Sequence, residues 1–173
     1  MTRTTNARIA GVAFLFYIAA GMSSMALAHR KNAKDVLSLL TSLSALVLGV
    51  TLYAITRDED ADIAMLGLTC RVVEAMPGEG AFFFAVGSTL FSWLLLRGRM
   101  IPVVLARLGV FASALLVVIL PLQRAGLLGG ASKWSSSVTW MMWLPCLIFE
   151  LALAAAWLLI KGVAPPFNPQ YQE

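Results

Sequence analysis

Apolar residues occur in six long runs along the chain, and short polar or charged segments separate them. The runs cover residues 9–28, 36–56, 61–76, 81–96, 101–122 and 138–160. About 20 apolar residues in helical form cross the ~30 Å hydrocarbon core of a bilayer. The third run is shorter, about 24 Å long as a helix, and the punctuation Pro77-Gly78-Glu79-Gly80 ends it. The pattern predicts an all-α fold, a polytopic bundle of six transmembrane helices.

Composition supports a membrane environment. Hydrophobic residues make up 60% of the chain and charged residues 13%, whereas soluble domains carry about 25% charged residues. We therefore expect one transmembrane domain over residues 1–163, surrounded by membrane lipid, and a polar tail over 164–173. The net charge of +4 arises from Lys and Arg in ones to threes between the runs. Because they form no continuous basic stripe, nucleic acid is not expected as a partner.

The same basic residues bear on orientation, since Lys and Arg are enriched on the cytoplasmic side. Six spans place both termini on one side. If that side is cytoplasmic, it collects seven basic residues: Arg3, Arg8, Arg57, Arg97, Arg99, Arg107 and Lys161. The other side collects five: Arg30, Lys31, Lys34, Arg124 and Lys133. The excess favours cytoplasmic N- and C-termini in the cell membrane.

The first run has a second interpretation. A basic start, an apolar middle and Ala26-Leu27-Ala28 are also typical of a secretory signal with its cleavage site. Gly11, Ala20 and Ser24, however, belong to a set of small residues suited to helix packing. We therefore keep the run as the first span.

Apart from Asp62 and Arg107, which lie within about 9 Å of the start of their runs, three charged residues lie inside apolar runs, where each costs roughly 3 kcal/mol to insert. Arg71 and Glu74 stand in the third run, three residues apart and thus on one helix face. Glu150 stands in the sixth run. Arg71 is about 15 Å from the start of its run and Glu150 about 15 Å from the end of its own. Because these two runs are antiparallel, we expect Arg71 and Glu150 to meet, with Glu74 about one turn further along.

Two interpretations of this cluster stay open. It is either a polar clamp that fixes which helices pack, or the lining of a cavity that binds a ligand or relays protons. Further candidates for such a lining are Cys70, Cys146, Pro145 and Trp143. The cysteines have no Cys-x-x-Cys spacing, so small buried residues are favoured over a disulfide or redox pair.

Metal and cofactor chemistry is not indicated. The only histidine is His29, in a polar segment, and haem, zinc and di-iron sites require several such ligands. No lysine lies inside a run to form a retinal Schiff base. We expect no metal and no cofactor.

Four segments carry a family resemblance. They are RIAGV at 8–12, RVVEA at 71–75, the stretch from Leu96-Arg97 through Ile101-Pro102 to Leu108-Gly109, and the stretch from Leu144-Pro145 through Phe149-Glu150 to Gly162. In this order and spacing the chain resembles a bacterial family of six-span proteins catalogued as domain of unknown function 4386. The resemblance covers most of the chain, which is shorter than the usual pattern after the third run. It implies six helices in a bacterial inner membrane and no known activity.

The leading functional hypothesis is a non-enzymatic membrane protein. Its Arg71/Glu74/Glu150 cluster would bind a small amphiphile or ion, or the protein would serve as an accessory subunit that contacts a partner subunit or another copy of itself. The first alternative is a proton-coupled transporter with Glu150 beside the flexible point at Pro145. The second is a lipid hydrolase in which Glu74 and Glu150 act as an acid and base pair.

Overall fold

The computed structural model describes residues 2–27, 29–76, 80–125 and 136–162 of the 173-residue chain. Within these residues the fold is all-helical, as predicted. It consists of α1 (Arg3–Ala26), α2 (Lys31–Thr56), α3 (Ala61–Glu74), α4 (Gly80–Arg97), α5 (Val103–Arg124), α6 (Ser136–Leu151) and a π-helical segment (Ala152–Leu158) that continues α6.

Each helix packs against the next one in chain order, and the π segment returns to pack against α1. The six helices therefore form a closed ring, with α3 held between α2 and α4. The main apolar core includes Leu48 and Leu52 of α2, Leu94 and Leu95 of α4, and Phe149 of α6. Closure of the ring places α3 and α6 opposite each other. A site that these two helices share therefore lies in the interior of the ring.

Polar contacts join several helix ends at one face of the bundle, which we call the first face. Arg3 at the start of α1 donates to the carbonyl of Ile55 at 2.9 Å and to the Asp58 carboxylate at 3.1 Å. Arg97 at the end of α4 forms a 3.3 Å ion pair with Asp60. The start of α1, the α2–α3 turn and the end of α4 thus lie at one level, as antiparallel neighbours require.

Asp60 also starts α3, because its side chain accepts a hydrogen bond from the backbone N–H of Ile63 at 3.1 Å. The neighbouring Glu59 fills the space beside Gly98, where an added Cβ would lie 2.9 Å from the Glu59 side chain. A glycine at 98 therefore lets the α2–α3 turn pack directly on the end of α4.

Four helices are long and apolar enough to cross a membrane, namely α1 (over Arg3–Ser24), α2, α4 and α5. This fits a membrane protein, as the composition predicts. The prediction of six spans goes further. α3 has only 14 residues, about 21 Å, and α6 has 16 before it continues as the π segment. Whether these two also cross stays a prediction, as do the single domain and the orientation. The tail over 164–173 lies outside the described residues.

α3 ends inside the depth of the bundle. The Ser42 hydroxyl of α2 donates to the carbonyl of Ala75, just past the end of α3, at 3.2 Å. Ser42 is eleven residues from the start of α2 at Lys31, about 17 Å along that helix. The last carbonyls of a helix have no partner within it. At this depth of a membrane no water would be available to bond them, so the Ser42 hydroxyl satisfies one of them.

Candidate functional site

The candidate site is a cluster of polar side chains around Arg71, in the last turn of α3. The Arg71 side chain is only 1% exposed. Its Nη1 donates to Glu74 Oε2 at 2.9 Å, and its Nη2 donates to the Ser88 hydroxyl of α4 at 2.8 Å. The guanidinium carbon lies 4.9 Å from the centre of the Phe84 ring, close enough for a cation–π interaction. Arg71 therefore points into the bundle, where it is bound on several sides.

Two glycines make room for the stem of Arg71. A Cβ added at Gly49 of α2 would lie 2.9 Å from the Arg71 Cβ, and one added at Gly87 of α4 would lie 3.2 Å from the Cys70 Cβ. Small residues let helix backbones approach closely in membranes. Here they allow α2 and α4 to enclose α3 at the level where the arginine leaves it.

Glu74 has partners for both carboxylate oxygens. Oε2 accepts from Arg71, and Oε1 accepts from the Tyr17 hydroxyl of α1 at 2.6 Å. The Tyr17 ring stacks parallel to Phe84 with 6.0 Å between ring centres. Glu74 is 7% exposed, and these bonds tie α3 to α1 through an ionised group.

Glu150 occupies the same level from the opposite side of the ring, in α6. It is 4% exposed, and its Oε1 has no hydrogen-bond partner among the described residues. It lies close enough to Arg71 and Glu74 to interact with both electrostatically, yet no salt bridge joins it to Arg71 within the described ranges. The ion pair that forms is Arg71–Glu74, because a carboxylate three residues away on the same helix reaches the guanidinium without any movement of α6.

The other candidates from the sequence lie around this cluster. Cys70 and Cys146 are both buried and free, so no disulfide joins them. Trp143 packs on Phe84 with 5.7 Å between ring centres. Pro145 lies inside α6, about one and a half turns before Glu150. The cysteines and Trp143 therefore lie near the charged residues. The donors to Glu74 are Arg71 and Tyr17.

Sequence reasoning missed three hydroxyl residues at the site: Tyr17, Ser88 and Ser113. Ser113 of α5 is fully buried, and its hydroxyl lies beside the Cys146 thiol of α6. It lies about 15 Å from the start of α5, at the depth of Arg71 and Glu150. For Tyr17 a signal existed, since a tyrosine about 21 Å into a span needs a partner for its hydroxyl. The serines carry no such signal, because a helix can bond them to its own carbonyls.

Two buried polar atoms at this level thus lack partners among the described residues: Arg71 Nε and Glu150 Oε1. They are a donor and an acceptor. With all groups ionised, one Arg and two Glu give the cluster a net charge of −1. Over the same residues no group of three His, Cys, Asp or Glu is arranged to hold a metal ion. The arrangement can bind one small positively charged or polar group.

No family model matches the chain, and no curated protein or solved structure is significantly similar to it. Function is therefore argued from the site alone.

Proposed function

We propose that this protein is a non-enzymatic integral membrane protein that binds a small amphiphile or ion at the cluster of Arg71, Glu74 and Glu150. The ligand favoured by the charges is a cation. The observation that carries the proposal is Glu150 Oε1, a buried acceptor that has no partner in the described structure and lies beside the Arg71–Glu74 pair. A buried charge without a partner costs several kcal/mol, and a bound cation would offset that cost.

Neighbouring aromatic rings suit an organic cation. Tyr17 bonds to Glu74, and Tyr17 and Trp143 both contact Phe84, so three aromatic rings belong to the surroundings of the cluster. Aromatic faces attract ammonium groups, with about 0.5–2 kcal/mol for each interaction. A quaternary ammonium amphiphile would place its charge near Glu150 and its alkyl chain among the apolar helices.

A binding role is favoured over acid–base catalysis. Glu74 accepts hydrogen bonds at both oxygens, from Arg71 and Tyr17, so neither oxygen is left to contact a substrate. Two-carboxylate hydrolysis requires one group that gains and loses a proton and a second that acts with it. Of these two glutamates, only Glu150 has a carboxylate oxygen without a partner in the described structure.

Thermal unfolding of the purified protein in a neutral detergent tests the proposal. The probes are potassium, choline and dodecyltrimethylammonium chloride, each compared at equal ionic strength with sodium chloride. A ligand at 100 times its Kd stabilises the folded state by about 2.7 kcal/mol, or roughly 5–11 °C in Tm for a chain of this size. At least one probe should raise Tm in this way.

Two variants separate the site from general charge effects. Glu150→Gln should abolish the rise, whereas Asp62→Asn should retain it, because Asp62 is an exposed acid in the first turn of α3. An equal rise in both variants, or no rise with any probe, contradicts the proposal. The second result would favour a role as an accessory subunit, in which the cluster only holds the helices together.

Proton-coupled transport is a second candidate, supported by the irregular helix around Glu150. Pro145 removes one helical hydrogen bond before it, and the π segment begins two residues after it. π-helical turns are frequent at functional sites. In proteoliposomes, a pH gradient should drive choline uptake in the wild type and not in Glu150→Gln. Equal fluxes in both would remove this candidate.

The resemblance to domain of unknown function 4386 and the bacterial inner membrane stay part of this proposal. The apolar helices support a membrane location only in general terms.

A further inference from the structure

A groove of about 390 Å³ runs between α1 and α2 on the outside of the bundle, separate from the charged cluster. Ligand sites typically measure about 300–1,000 Å³. Arg8, Val12 and Phe16 of α1 form one wall, while Leu43, Ser44 and Val47 of α2 form the other. The walls are apolar apart from Arg8 and Ser44. Phe16 and Leu43 are 61% and 60% exposed, so the groove opens away from the protein, toward the lipid.

Arg8 lies at the end of the groove nearest the first face. It is five residues beyond Arg3, about 7.5 Å along α1, and a long side chain at that depth can reach the headgroup level. From Arg8 to Phe16 the groove extends about 12 Å toward the middle of the membrane. It therefore has a charged end at the height of lipid phosphates and an apolar length at the height of acyl chains.

The charge of Arg8 is available for a ligand. Arg3 is bound to Ile55 and Asp58, whereas Arg8 is exposed and forms no salt bridge with any residue that the structure describes. A guanidinium fork matches the oxygens of a phosphate. The surrounding apolar walls offer nothing to a zwitterionic headgroup's positive end.

We infer that this groove binds one anionic phospholipid of the surrounding membrane. Its phosphate contacts Arg8, and one acyl chain lies along Val12, Phe16 and Leu43. This site is independent of the proposed interior site, because the groove shares no residue with the cluster.

Lipid titration followed by native mass spectrometry tests the inference. The purified protein is titrated with phosphatidylglycerol and with phosphatidylcholine of identical acyl chains. We expect phosphatidylglycerol to bind more tightly. Arg8→Gln should weaken its binding about fivefold, the effect of one basic residue near a membrane surface.

Arg107→Gln is the matched control for charge. Arg107 is exposed about 6 Å into α5, so it lies at nearly the same depth from the same face. It should leave phosphatidylglycerol binding unchanged. An equal loss in Arg8→Gln and Arg107→Gln would mean that general surface charge attracts the lipid, and would overturn the inference.

A second pair of variants tests the apolar part of the groove. Val12→Trp should fill the groove and reduce binding of the lipid while Arg8 is kept. Val104→Trp, at a site that is 82% exposed on α5, should not. Unchanged lipid binding in Val12→Trp would overturn the inference. A second test places cysteines at positions 12 and 43. A dimer cross-linked through them would also overturn the inference, since a second copy of the chain would then occupy the groove.

Discussion

Glutamine substitutions at the two buried glutamates should have opposite effects on stability. Glu74→Gln and Glu150→Gln each remove one negative charge from one cluster, at depths that differ by about one helical turn. Both changes keep the size and shape of the side chain. The structure differs between the two sites only in partners: Glu74 has two, and Glu150 Oε1 has none in the described chain.

Glu74→Gln should destabilise the protein. The glutamate accepts a 2.9 Å bond from Arg71 and a 2.6 Å bond from Tyr17. Glutamine offers one oxygen and one amide group, so one of the two donors would face another donor. Breaking one side of a buried ion pair costs about 3–5 kcal/mol. For a chain of this length, a loss of about 3 kcal/mol lowers Tm by roughly 6–12 °C.

Glu150→Gln should raise stability. Removing this charge leaves Arg71 and Glu74 as a balanced pair. It also replaces a buried carboxylate by a neutral amide, and an unsatisfied neutral group costs about 1–3 kcal/mol to bury, less than a charged one. We expect a rise of at least 2 °C in Tm, from a gain of about 1 kcal/mol.

The assay is thermal unfolding of both variants and the wild type in one neutral detergent at pH 7.5, without organic cations. The order of Tm values should be Glu150→Gln, wild type, Glu74→Gln. If Glu150→Gln falls below the wild type by as much as Glu74→Gln, then Glu150 has a partner in the folded protein and the assignment of charges is wrong. A lowered Tm for both variants would support the pairing of Arg71 with Glu150 that the sequence predicts.

Two further pairs of variants test the surroundings of Arg71. Gly49→Ala should lower stability by about 1–3 kcal/mol, because the added Cβ would lie 2.9 Å from the Arg71 Cβ. A Cβ added at Gly21 meets nothing within 4 Å, so Gly21→Ala should be neutral or stabilising. Denaturant or thermal unfolding measures both variants. Ser88→Ala should cost about 1–3 kcal/mol by removing an acceptor of the guanidinium. Ser113→Ala should cost less, since the group beside its hydroxyl is the Cys146 thiol, which forms only weak hydrogen bonds. Equal losses within either pair would contradict the contacts described here.

Depth along the chain could be predicted from the sequence because helical rise is constant. Counting residues placed Arg71 and Glu150 at one level on antiparallel helices, and the α3 and α6 helices carry them at those positions. The partner of Arg71 could not be predicted in the same way. Counting residues gives the depths of Glu74 and Glu150 but not the directions in which their side chains point. The rotation of α6 about its axis decides whether Glu150 reaches Arg71.

Rotation is hard to predict here because the helices are apolar on nearly all sides. In a soluble protein, polar residues mark the face that points to water. In this chain Phe16, Leu39 and Val104 are exposed on the outside, while Ser88 and Ser113 are buried inside. Hydrophobicity therefore does not indicate the interior, and hydroxyl residues at the site could not be separated from those that bond to their own helix.

The sequence predicts six spans, whereas four helices of the described structure are long and apolar enough to be spans. Apolar composition extends through residue 76, but the α3 helix ends at Glu74, and four helices meet the length and hydropathy expected of a span. Pro77-Gly78-Glu79, which the sequence marks as the break, lies outside the described residues.

The early end of α3 accounts for part of the polar cluster but not for Glu150. A helix that ends at mid-depth leaves carbonyls without partners, and Ser42 satisfies one of them. The negative end of the helix dipole disfavours Glu74 and favours Arg71 in the last turn, so Glu74 requires the donors it receives from Arg71 and Tyr17. These contacts form a closed set that stabilises the end of α3. Glu150 Oε1 takes no part in that set within the described residues, and a leucine at this position would pack better among the apolar helices. The burial of this one carboxylate is therefore the feature that a structural role leaves unexplained and that a bound cation would explain.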